Sequence, residues 1–222
     1  MVNQPSVNRG TLILLASDAT EPTIVAGTKN VYLTFQYNPE KLLHTFNPAI
    51  QLASAKETDT QCPPTEFFNL TFELDSVDIE QPIKKSAAPD FGLNPALAML
   101  ELMMQPQTKG NQTQMPILVF RWGQKRQIPV FLVSMNVEEK TFDQTLNPTR
   151  ASATIILRVL SASEVKDNKA AQKALAAHQF DRSTLVEIYK AETDQAPATT
   201  KPGAQTVAAN SSSGQSKTKI SA

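Results

Sequence analysis

Phe68-Asn69-Leu70-Thr71-Phe72-Glu73-Leu74-Asp75 alternates without a break, with Phe68, Leu70, Phe72 and Leu74 on one side and Asn69, Thr71, Glu73 and Asp75 on the other. Successive side chains of a strand point to opposite faces. A period of two therefore predicts a strand with one dry and one wet face, the pattern of an antiparallel sheet. Toward the N-terminus, Leu33, Phe35 and Tyr37 alternate with Tyr32, Thr34 and Gln36, which predicts a second strand over 31–37 with its apolar residues on one face. Asn38-Pro39 ends it, because proline offers no amide donor and holds the residue before it out of the α region. Thr11–Ala16 reads as a short buried strand, and 20–30, with Pro22, Gly27 and Asn30, as a hairpin-type connection. Leu42, Leu43 and Phe46 fit a helical turn or a further strand equally well.

Toward the C-terminus, 75–91 holds Pro82, Pro89 and Lys84-Lys85 and reads as a long exposed loop. A helix follows, with Asn94 as its expected N-cap and Pro95 at the first helical position. Leu93, Leu97, Leu100 and Met104 then share one face, and Met99, Met103 and Met104 are expected to fill the core. Ile117–Trp122 is an apolar run closed by Gly123. The next strand covers 128–137, with Phe131, Val133, Met135 and Val137 opposite Val130, Leu132, Ser134 and Asn136. In Arg150–Leu160, the last strand, Ala151, Ala153, Ile155, Leu157 and Val159 share a face. Glu164–Ala177 favours helix by propensity, and Asp181-Arg182-Ser183-Thr184 is expected to cap a second short helix. The fold class predicted is mainly β with some α. Its divisions are a β domain over 1–162, a helical extension over 163–192 and a polar, disordered tail over 193–222.

Composition narrows the function. Lys+Arg and Asp+Glu both number 21 in 222 residues, so the formal charge is zero, and the basic excess of a general nucleic-acid binder is missing. One cysteine, Cys62, allows no disulfide within the chain. His44 and His178 have no second ligand at motif spacing and read as ordinary histidines, so no metal and no cofactor is expected. No apolar run is long enough for a membrane span, and the N-terminus shows no signal peptide, so cytosolic synthesis is expected. Phosphate loops and nucleophile elbows are missing from the motif spacings, and the acidic pairs Asp75/Asp78 and Glu138/Glu139 read as solvated charge. A structural or binding role is expected, and no enzyme.

The order of several motifs carries a resemblance. It runs Phe35-Gln36-Tyr37-Asn38-Pro39-Glu40-Lys41-Leu42, then Phe72-Glu73-Leu74 with Asp75 and Asp78, then the helix over 97–104. Pro116-Ile117-Leu118-Val119-Phe120-Arg121-Trp122-Gly123 follows, then Val133–Val137, then Thr141–Ala151, with Tyr37, Asn38, Pro39, Trp122, Gly123 and Arg150 as the marker residues. Over 10–160 this series resembles the tube-type proteins of contractile injection systems, which sit at the base of phage-tail-like particles. The resemblance implies a tail-tube fold of two packed antiparallel sheets forming a small barrel, with a helix at its side. It implies a homo-hexameric ring between a trimeric spike and the inner-tube protein, among baseplate wedge and sheath components. Such a ring is assembled in the bacterial cytoplasm, with no nucleic acid and no direct membrane insertion. Members often carry a LysM module after the tube domain, and no such repeat is visible past residue 160.

On that reading Leu97, Met104, Phe131, Ile156 and Leu160 are expected at the protomer interface. Asn69, Thr71 and Glu73 are expected to line the channel, and Asp78, Lys84 and Lys85 to contact the next ring. An inner-tube body subunit and a monomeric β-sandwich binding module stand as alternatives.

Overall fold

A computed structural model of the chain describes residues 8–23, 30–47, 65–76, 91–109, 112–123 and 125–194. Its strands are β1 (Thr11–Leu14), β2 (Val31–Thr34), β3 (Leu42–Asn47), β4 (Thr65–Asp75), β5 (Gln107–Lys109), β6 (Gln112–Gln114), β7 (Leu118–Trp122), β8 (Arg126–Phe142) and β9 (Pro148–Val159). The helices are α1 (Asn94–Leu102) and α2 (Lys169–Asp194). Mainly β, with two helices among the described residues, the protein has the class its sequence predicts. The segment over 42–47, ambiguous in sequence, is a strand. The loop over 77–90 and the tail beyond 194 lie outside the described residues.

Seven strands form one antiparallel sheet in the order β2-β1-β7-β8-β9-β4-β3, and β5–β6 is a separate hairpin. The resemblance implied two packed sheets; here a single sheet supplies both walls of the core. Leu12 and Leu14 of β1, Leu33 and Phe35, Phe68, Leu70, Phe72 and Leu74 of β4, and Ala151, Ala153, Ile155 and Leu157 of β9 share one buried cluster. Strands far apart in the sheet order meet because the sheet coils over on itself.

The long strand β8 allows this. Its first residues pair with β7 and the rest with β9, and the register shifts between Leu132 and Ser134. A bulge bends a strand and reverses which face its side chains take. Ile128, Val130 and Leu132 therefore point into the core before it, and Met135 and Val137 lean on the core after it. A single alternation over 128–137 missed this reversal, which puts Phe131 and exposed Val133 apart from Met135 and Val137.

The coil closes through side chains. Phe35 stacks on Phe72 with ring centroids 4.4 Å apart. Next to it the Gln36 amide clasps one residue of β4: Gln36 Nε2 donates to the Asp75 carbonyl at 2.7 Å, and Gln36 Oε1 accepts from the Asp75 amide at 2.6 Å. Gln36 is thus buried, whereas Tyr37, expected on the apolar face, is 49% exposed. Two buried hydrogen bonds of this kind contribute roughly 1 kcal/mol each. We expect Gln36→Ala to lower unfolding free energy by about 2 kcal/mol in urea titration while leaving the circular dichroism of the folded chain β-rich.

Helix α1 buries Ala96, Leu97 and Leu100, with Leu93 before it and Met103 after it in the same core. Asn94 is its first residue and no N-cap: Leu93 holds that position, and the Asn94 side chain donates to Asn147 Oδ1 at 3.1 Å. Helix α2 is continuous where two helices were expected. Asn168 caps it, its Oδ1 accepting from the Ala171 amide at 3.0 Å. Ser183 and Thr184 do not start a new helix, because their hydroxyls donate back to the Phe180 carbonyl.

The first turns of α2 cover the outer face of the sheet. Ala170, Ala171, Ala174 and Leu175 pack on Ile13, Leu15, Val119, Leu160 and Val165 in a second buried cluster. Alanines let the helix lie close, and the chain's contacts divide after Leu185, so α2 up to that residue belongs with the sheet. Val186–Ala222 is a separate unit; of it, Val186–Asp194 is described and carries exposed Ile188 and Tyr189. Among the described residues no helix is long and apolar enough to cross a membrane.

Further along, α2 is tied to the β3–β4 edge by a buried carboxylate. Glu66, 6% exposed, accepts from His44 Nε2 at 2.6 Å and from Arg182 Nη1 at 2.8 Å, with His178 Nε2 3.7 Å away. The Arg182 guanidinium also lies over the Phe46 ring, 4.9 Å from its centroid. Burial alone pushes the Glu66 carboxyl up, but His178, Arg182 and His44 outweigh it and hold it at about 2, below its ordinary 4.5. A depressed carboxyl adds stability that is fully present above its unfolded value and fades as pH falls through the folded one. The clasp therefore weakens only between pH 4.5 and about 2. Glu66→Gln is expected to cost about 2 kcal/mol at neutral pH, and its stability deficit relative to wild type should shrink below pH 4.5 in acid denaturation.

Candidate assembly surfaces

The marker residues converge on one corner of the coil. Gly10 sits between the Phe35 and Trp122 rings, where a Cβ would come within 2.6 Å of Phe35 and 2.9 Å of Trp122. Its amide donates to Asn38 Oδ1 at 2.9 Å, and its carbonyl accepts from the Phe35 amide at 2.8 Å. Asn38 Nδ2 reaches on to the Asn8 carbonyl. The Asn38-Pro39 turn thus anchors the start of β1, and Trp122-Gly123 closes the β7–β8 hairpin over it. Arg150 Nε donates to Asp75 Oδ2 at 2.8 Å, joining β9 to the end of β4. Asn38 and Trp122 thus tie the fold together, while Tyr37 and the Arg150 side chain stay largely exposed.

The wet face of β4 continues across its neighbours. Asn69 faces Ile156 and then Ser134; Thr71 faces Thr154 and Asn136; Glu73 faces Ser152 and Glu138. The Thr71 and Thr154 hydroxyls are bonded at 2.9 Å, and Lys140 Nζ donates to both Glu73 oxygens at 3.0 and 3.1 Å. All three residues expected to line a channel therefore share one outward, hydroxyl- and amide-rich strip.

The five residues expected at a protomer interface do not form one surface. Leu97 and Leu160 are 8% and 2% exposed, each packed within its own protomer, and cannot form the apolar centre of a contact. Met104 leans on the main core. Phe131 and Ile156 do lie together on the outer face, with Arg158 between them and its guanidinium 5.3 Å from the Phe131 ring centroid. Arg158 makes two bonds to Glu164, and that arginine together with the Ser161 amide and hydroxyl holds the Glu164 carboxyl at about 2 despite partial burial. Asp78, Lys84 and Lys85 lie outside the described residues.

Sequence reading did not place three features, although it expected unpaired strand edges between copies. The sheet ends in two open edges: among the described residues no strand pairs with the outer side of β2 or of β3. On them Val31 is 46% and Leu43 60% exposed. The second feature is the β8–β9 hairpin tip. Asp143 there accepts from the amides of Thr145 and Asn147, from the Thr145 hydroxyl and from Asn147 Nδ2, and these bonds hold its carboxyl below the usual range. The third is a cleft of about 770 Å³ whose lining mixes apolar residues such as Leu15, Ile117 and Phe131 with polar ones such as Gln107, Gln114 and Glu164. Only the exposed apolar residues at an edge or a turn hinted at these in the sequence.

Among the described residues no group of histidine, cysteine and carboxylate side chains could hold a metal ion; His44, Glu66 and His178 meet, but as an ion cluster with Arg182. What the geometry offers is surface: a coiled sheet with unmatched edges, a polar strip and a protruding turn. No curated protein matches the chain. A family model described as contractile injection system tube protein matches residues 12–171, all of the coiled sheet but Thr11, together with the start of α2, and the chain belongs to that family.

Proposed function

We propose that this protein forms a hexameric ring at the baseplate end of an injection tube, joining a trimeric spike to the stacked inner-tube rings, with wedge and sheath components around it. The observation that carries this reading is the pair of open edges on one coiled sheet. An unpaired edge presents free amides and carbonyls that a neighbouring strand satisfies. β2 and β3 are unlike edges at opposite ends of the sheet order, so pairing one with the other between copies is a heterologous contact, which closes into a ring when its rotation allows. Ile156 and Phe131 extend the contact on the outer face. Asn69, Thr71 and Glu73 line the channel, where hydroxyls, amides and a neutralised Glu73–Lys140 pair let cargo pass without apolar adhesion. The region of Asp78, Lys84 and Lys85 contributes to ring-to-ring contact. Assembly in the bacterial cytoplasm fits this role, which rests on architecture and needs no bond-breaking chemistry.

The runner-up within the same family is a repeating subunit of the tube body, distinguished by whether rings of this chain stack on themselves. In sedimentation velocity and negative-stain imaging the full chain should form rings about 80–100 Å across. Leu43→Lys on β3 and Val31→Lys on β2 each place a charge on an edge. Either should convert rings to monomers with melting temperature changed by less than about 2 °C, as surface substitutions do. A wild-type chain that stays monomeric at high concentration, alone and with particle components, would instead favour a β-sandwich binding module.

A further inference from the structure

Helix α2 buries one face over its first turns and then loses the cover. Ala171, Ala174, Leu175 and His178 are buried on that face. Leu185 follows Ala171 by fourteen residues and His178 by seven, so helical spacing returns it to the same side. Its side chain is nevertheless 63% exposed, and every residue from Ser183 to Thr193 is exposed. Ile188 and Tyr189, 49% and 71% exposed, stand at i+3 and i+4 from Leu185, and Val186 borders them at 51%. A helix end that water alone surrounds has no use for four large apolar side chains grouped in this way. The tube-protein match ends at residue 171, so this stretch lies outside the matched domain.

Area and charge narrow what covers it. The four side chains expose roughly 300–400 Å² between them, against about 800 Å² that each partner contributes to a stable interface. Two copies crossing helix on helix through this strip fall short by about half. A groove that receives the helix also covers the flanks of the strip and makes up the difference. Glu187, Glu192 and Asp194 stand against Lys190 alone in this segment, and Lys190 donates to Glu187 at 2.8 Å. The net acid is repelled by an anionic lipid surface and suits a groove rimmed by lysine or arginine. The residues that follow cannot supply that groove, since 195–222 holds Val207 and Ile220 as its only large apolar side chains.

We propose that the end of α2 docks through Leu185, Ile188 and Tyr189 into an apolar, lysine- or arginine-rimmed groove on a different protein of the injection particle. The helix is received as one amphipathic face, with Glu192 beside the anchors. The contact uses neither sheet edge and stands apart from the ring reading.

A benzophenone side chain at the anchor, Tyr189→p-benzoylphenylalanine, is placed in the full chain produced with the spike, inner-tube and wedge proteins of its particle. Irradiation should crosslink it to one of those proteins, at apolar residues with lysine or arginine beside them. Leu185→Asp and Ile188→Asp should each weaken co-purification with that protein at least ten-fold, while Ile188→Leu keeps it. Neither aspartate should move the melting temperature by more than about 2 °C, since both positions are exposed. Glu192→Lys should weaken the contact about five-fold at low salt and less at high salt. Crosslinks confined to a second copy of this chain or to its own residues overturn the proposal. Flotation of the chain with phosphatidylglycerol vesicles, or the absence of any crosslink, overturns it as well. Single rings should persist in Ile188→Asp; their loss together with binding places the helix in ring closure and overturns the contact. A wild-type chain that crosslinks to another particle protein yet forms no rings overturns the ring reading and leaves this contact standing.

Discussion

Closure of the coil between Phe35 and Phe72, clamped by Gln36 on Asp75, is the contact on which the other features depend. A seven-stranded antiparallel sheet that stayed open would expose its apolar face, and packing that face on itself is the cheapest way to bury it. Here the two ends meet through rings and one amide side chain, with no β-ladder between them among the described residues. A ladder would have consumed both edges and produced a sealed barrel with nothing left to pair. Side-chain closure buries the core and, among the described residues, leaves β2 and β3 with no strand on their outer sides. The same choice explains a buried glutamine in a strand otherwise lined with Leu33 and Phe35.

A second consequence is that the outer face needs cover where it is apolar. Ile13, Val119 and Leu160 point away from the core, and α2 covers them with small side chains. The helix then runs to the projecting end of β3–β4, where Glu66 gathers His44, His178 and Arg182. Below this cluster an aromatic series continues inward, from Phe46 and His44 to Phe68, Phe120 and Trp122, with successive centroids 4.2 to 5.7 Å apart. Helix, edge hairpin and barrel core are thus one connected solid. An open edge can serve as a template only if it is held rigid, since a frayed strand would have to be ordered at the cost of binding energy.

What the sequence revealed and what it hid divide along the range of the interactions. The alternation of β4 and β9 is local, and Phe68, Leu70, Phe72, Leu74, Ala151, Ala153, Ile155 and Leu157 are buried as their period requires. The bulge in β8 was illegible because Val133 looks apolar whichever face it takes, and only pairing with β9 reveals the extra residue. The continuity of α2 was hidden by Ser183 and Thr184, whose capping chemistry serves equally well for bonding back to Phe180 within a helix. His44 and His178 seemed ordinary since 134 positions of sequence separate two side chains that the fold brings to one carboxylate. The interface candidates Leu97 and Leu160 were chosen for being apolar, which does not distinguish a core from a contact. Exposure makes that distinction, and the exposed apolar residues include Val31 and Leu43 on the sheet edges and Leu146 at the β8–β9 tip.

Those three residues also point in two different directions. Strands pair perpendicular to their length, so edges carrying Val31 and Leu43 extend a sheet sideways, from copy to copy around an axis. The β8–β9 tip that carries Leu146 projects along the strands instead. A chain with no net charge to hold copies apart, and with an open edge at each end of its described sheet, has what sideways pairing between copies requires. The strain at Leu146, whose φ is 66°, falls where it does least harm: its turn is braced from within by Asp143, and the edges that must keep their register are left undisturbed.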